Sequence, residues 1–138
     1  MAVTYPFSFP EKGGRTSKIT KDEEVEIWQN ILDTINSLVF RCNTLNSTSI
    51  PNITIVHQDS KPGPLTYLEY DSNIAAIEAK LNQIIVASDA QGLNATNLVN
   101  LIQAGENEAP LLIWQRDTNL KTIKTAINTI NILYSWVE

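Results

Sequence analysis

The sequence contains a single cysteine, Cys42, and a single histidine, His57. One thiol excludes an intrachain disulfide and fits a reducing compartment. It also leaves no cysteine–histidine cluster with metal-ligand spacing. A Cys42–His57 nucleophilic pair is formally available, but a buried thiol and a strand-end histidine account for both residues more simply. Glycine is scarce, and Gly13-Gly14 has neither the pattern nor the preceding strand of a phosphate-binding loop. Glu69 and Asp71, near Asp59, have the chemistry for acid–base work, yet a solvated loop explains them without a pocket. These absences point away from an enzyme, and no cofactor or metal is expected.

Charge is also scarce. Charged residues make up 18% of the chain, against about 25% in typical soluble domains. Fourteen Asn and 13 Thr take their place. Such a surface is weakly solvated and suits burial in an assembly. Nucleotide bias would produce the same texture, since Ile is abundant too. The net charge of −5 is uneven: residues 1–21 set Lys12, Arg15, Lys18 and Lys21 against Glu11 alone, and the remainder is acidic. An acidic body argues against nucleic acid as the main ligand, and the basic arm is as expected for a solvated tail or for steering toward an acidic partner. No apolar run is long enough for a membrane span, and the first residues lack the pattern of a signal peptide. Virion or cytoplasm is the expected location.

What is present is helical periodicity. At 138 residues one domain is expected. Residues 1–19 read as an extended arm: Pro6 and Pro10 oppose helix, and Tyr5, Phe7 and Phe9 alternate onto one side, which is expected to cover either the domain's own surface or a neighbouring chain. Residues 20–138 read as a single helical domain. Thr20-Lys21-Asp22-Glu23 reads as a capping box. Behind it Trp28, Ile31, Ile35, Leu38, Cys42 and Leu45 recur with three-four spacing, which predicts a helix over about residues 21–45. Ile53 to His57 is β-branched and predicts one short strand. A second helix is expected from Asp71 or Ser72, with the seam Ile74, Ile77, Leu81, Ile84 and Ser88, ending near Gly92. A short third helix is expected from Thr96 to Ala104, on Leu98, Leu101 and Ile102. Residues 111–114 fit either a second strand or the start of the next helix. Asp117 is then expected to cap a last helix with the seam Leu120, Ile123, Ile127, Ile130, Tyr134 and Val137, and with Ile132, Leu133 and Trp136 outside it. Asn30, Asn36, Asn82, Asn128 and Asn131 flank the seams. Each is expected to face solvent, or else to fix register in an oligomer. Residues 53–58 and 111–115 echo one another, too briefly to define a repeat.

The expected class is therefore mainly α: a three- to four-helix bundle or an oligomeric coiled-coil bundle, with an extended N-terminal arm and at most a two-stranded β element. The segment Tyr5-Pro6-Phe7-Ser8-Phe9-Pro10, followed by Gly13-Gly14 and a helix, resembles the N-terminal docking segments of small bacteriophage virion proteins of the fibre, neck and tail-adaptor kind. That resemblance implies a homo-oligomeric structural protein in which Tyr5, Phe7, Phe9 and Arg15 dock on a protein partner. The alternative reading is a cytosolic helical protein-binding module of the adaptor, chaperone or immunity type.

Overall fold

The computed structural model describes residues 21–55, 67–90, 98–103 and 113–134. Three helices occupy most of them: α1 (Lys21–Asn46), α2 (Tyr67–Ala90) and α3 (Ile113–Tyr134). The mainly helical class holds, with no strand among the described residues. The arm, His57 and the C-terminal Trp136 and Val137 lie outside them, as does the expected capping Thr20.

The first helix follows its sequence periodicity closely. The other two begin about one turn earlier than their polar residues suggested, so Asp71 and Asp117 sit inside helices rather than capping them. Tertiary contact accounts for the extra turns. Tyr70 meets Trp28 edge-on at 5.7 Å between ring centroids, and the Arg116 guanidinium lies 4.9 Å over the same ring. A desolvated aromatic pair and a cation over a ring face are each worth about 0.5–2 kcal/mol, enough to outweigh a local capping preference.

The three seams face one another within the chain. Trp28, Ile31, Ile35 and Leu38 of α1, Ile74, Ile77, Leu81 and Ile84 of α2, and Leu120, Ile123, Ile127 and Ile130 of α3 are all buried in one cluster. Each such side chain contributes about 1.5–3 kcal/mol by leaving water. Tyr134 closes α3, and nothing further is described of its side chain.

The helices run parallel. Near their N-terminal ends, Trp28, Tyr70 and Asn119 are linked, since the Asn119 amide donates to the Tyr70 hydroxyl at 3.3 Å. About 20 Å further along α1, Arg41 donates to Asn131 of α3 at 2.7 Å. Lys80 of α2 reaches the carbonyl of Pro51, which lies beside the second half of α1. An antiparallel α2 or α3 would put these partners tens of ångströms apart. Parallel neighbours need connections that travel back the length of a helix, which explains why the links between them are long.

The described parts of those links run back in extended form, held by helix side chains. α1 ends at Ser47, in the left-handed region at φ 54°, the usual geometry of a helix C-terminal cap. The Asn43 side chain then grips the backbone of Ile50, accepting from its N–H at 2.9 Å and donating to its C=O at 3.0 Å. Asn36, two turns back, accepts from the Ile53 N–H at 2.8 Å. Seven helical residues rise about 10.5 Å, and three residues span that distance only when extended. The expected strand is thus an extended segment whose described residues 53–55 pair with no other strand.

Residues 98–103 repeat the device and are not the short helix that Leu98, Leu101 and Ile102 suggested. Asn82 grips Val99, accepting from its N–H at 2.6 Å and donating to its C=O at 3.0 Å. Glu78 accepts from the Leu101 N–H at 2.7 Å. Asn119 of α3 grips Ile102 on the opposite edge, at 2.8 and 2.9 Å. Polar groups of an extended chain alternate between its edges, so Val99 and Leu101 address α2 while Ile102 addresses α3. These side chains supply the hydrogen bonds that a helix would otherwise make for itself.

A repeat becomes visible through this geometry. The helices begin at residues 21, 67 and 113, a period of 46. At that period Ile31, Ile77 and Ile123 coincide, as do Ile35, Leu81 and Ile127, then Leu38, Ile84 and Ile130, and also Asn36, Asn82 and Asn128. Ile53 and Val99, held by the first two of those asparagines, are equivalent too. The echo between residues 53–58 and 111–115 is a different offset and is not structural, since residues from Ile113 onward are helical. In the second and third units an extended segment, where described, comes before the helix and wedges against the helix of the unit before.

Candidate functional site

The chemistry-bearing residues are scattered. Cys42 is fully buried, and its sulfur accepts from the Asn46 amide at 3.3 Å. Glu69 and Asp71 lie in the first turns of α2, on a helix rather than in the loop expected for them. No group of three Asp, Glu, His or Cys side chains able to hold a metal occurs among the described residues. Lys80 donates to the Pro51 carbonyl at 2.7 Å and to Gln83 at 3.2 Å. Partial burial pulls its ammonium below the usual lysine range. Its contacts tie a connecting segment to α2.

A shallow groove of about 310 Å³ opens where the 98–100 segment meets α3. Leu98, Val99 and Asn100 line it from the segment, and Lys121, Thr122, Thr125 and Ala126 from α3. It offers hydroxyls, an amide and one cation, and no carboxylate, histidine or thiol to pair as acid and base.

The outer faces are more distinctive. Phe40 is 71% exposed and Ile132 70%. They are the chain neighbours of Arg41 and Asn131, whose side chains join α1 to α3. Leu68 and Val86 are both exposed on α2, 18 residues apart, which is five full turns and hence one face. Leu98 is exposed beside the groove. Single exposed apolar residues are ordinary. Among the described residues, one phenylalanine and four aliphatic side chains thus stand outward on a chain poor in charge.

The seam residues read from the sequence all belong to the core where their side chains are described, so they cannot face a partner. Tyr5, Phe7, Phe9 and Arg15 fall outside the described residues. Sequence reasoning missed Phe40 altogether, and it did not anticipate the asparagine grips. Asn36 and Asn82, expected in solvent, bind backbone, and Asn131 binds Arg41. The recurrence of asparagine at residues 36, 82 and 128 is the signal that would have shown them. No family model, curated protein or solved structure matches the chain.

Proposed function

We propose that this is a non-enzymatic structural or assembly protein, working through contact with other protein chains. The observation that carries the reading is the set of large apolar side chains on the outer faces, led by Phe40 and Ile132. The described groove, by contrast, has no acid–base or nucleophilic set. In its finer form the reading is an oligomeric virion component, supported by the style of the Tyr5–Pro10 segment and by the Asn- and Thr-rich composition.

Solution mass tests the self-associating form. Light scattering after size exclusion, over a wide concentration range, is expected to show an oligomer. Phe40→Ser with Ile132→Ser is expected to return it to a monomer of unchanged helicity. A wild-type protein that stays monomeric at every concentration overturns self-assembly through these faces.

A further inference from the structure

We propose that the N-terminal arm lies in the groove between α3 and α1 of its own chain, with the backbone of Phe7 gripped by Asn128. Three parallel helices make three grooves. Extended segments hold the α1/α2 groove through Asn36 and Ile53, and the α2/α3 groove through Asn82 and Val99. The period of 46 carries this pair to Asn128 and Phe7 in the third groove.

Three observations select the chain's own arm as the occupant. The first is length. Fourteen residues separate Ile53 from the start of α2 and Val99 from the start of α3, and 14 separate Phe7 from the start of α1. The arm therefore leads into a helix that borders the groove it would fill, at the reach its two counterparts use. The second is polarity. Ile53, Val99 and Leu101 are buried and Ile55 packs against the core. Their counterparts in the arm are Phe7 and Phe9, the alternating aromatics.

The third is a paired exchange. Ile102 both donates to and accepts from Asn119. In the first unit the counterpart of Ile102 is Pro10, which has no N–H. The counterpart of Asn119 there is Ile27, which has no acceptor and is buried in the core. Donor and acceptor are missing together, as a wedge in this register requires.

In this position Phe7 and Phe9 cover the chain's own core. Tyr5, whose counterpart Pro51 is exposed, stays outside and remains able to meet a partner. The inference does not depend on the assembly reading, because it concerns one chain.

Amide hydrogen exchange on the full-length protein, followed by NMR at low and high concentration, tests it. The Phe7 amide is expected to exchange about a hundredfold or more slower than a free chain, in the range of the Ile53 and Val99 amides and independently of concentration. In Asn128→Ala that protection is expected to fall while Ile53 and Val99 keep theirs. Free-chain exchange at Phe7 overturns the proposal. Protection that appears only as the protein self-associates overturns it too, by assigning the groove to the arm of a second copy. Protection that survives Asn128→Ala unchanged overturns the register. None of these outcomes bears on the serine variants at Phe40 and Ile132, so the two readings fail separately.

Discussion

Replacing Asn82 with alanine removes both hydrogen bonds that hold Val99, at 2.6 and 3.0 Å. Each bond contributes about 0.5–1.5 kcal/mol net, and a backbone group left buried without a partner costs about 1–3 kcal/mol. Val99 is only 7% exposed, so water replaces the lost amide poorly. Alanine's better helix propensity returns about 0.5 kcal/mol. The expected loss is therefore about 2–4 kcal/mol. Asn36→Ala, which removes the single bond to the Ile53 N–H, is expected to lose about half as much. Urea unfolding followed by circular dichroism reads this directly. With m near 1–3 kcal/mol/M, the midpoint should fall by about 1–2 M at constant m. Asn82→Asp serves as a companion: it keeps an acceptor for the Val99 N–H but loses the donor to its carbonyl, and should fall between the other two proteins. A loss below about 0.5 kcal/mol for Asn82→Ala, with the Val99 amide still protected, would refute the view that the asparagine holds the segment.

Asn119→Ala should be at least as costly as Asn82→Ala, because it also leaves the Tyr70 hydroxyl without the Asn119 contact; thermal unfolding checks this. Leu38→Ala should cost about 2–5 kcal/mol through the cavity it opens, whereas Phe40→Ser should stay within about 0.5 kcal/mol of wild type. Comparable losses at the two positions would contradict the assignment of Leu38 to the core and Phe40 to the surface. Lys80 predicts a pH effect. Its folded pKa is lowered, so between that value and 10.5 the unfolded chain binds more protons and stability should rise with pH. The rise should be absent from the stability–pH curve of Lys80→Met, measured by urea titration at several alkaline pH values.

The core was legible in the sequence because burial on a helix imposes three-four spacing, and Ile31, Ile35 and Leu38 obey it without interruption. The extended segments were not legible for the opposite reason. Leu98, Leu101 and Ile102 sit at helical spacing, but their backbone is satisfied by Glu78, Asn82 and Asn119, residues about 17 or more positions away. Local pattern carries no trace of such partners. The repeat escaped notice because its units share few identities, and these lie 46 residues apart. The exposure of Phe40 was equally hidden. Nothing in the sequence distinguishes an apolar residue that widens a seam from one turned outward, until the packing of α3 fixes which side of α1 is covered.

Parallel helices also give the molecule an electrical direction. Each helix carries about half a positive charge at its first turn and half a negative charge at its last, and here all three first turns share one end. Glu26, Glu69 and Asp71 lie near that end and oppose its sign. Two copies brought together by identical ends would align like poles, while copies stacked in the same sense would align unlike ones. The backbone alone therefore favours stacking in one sense, and the carboxylates at the first turns work against that preference.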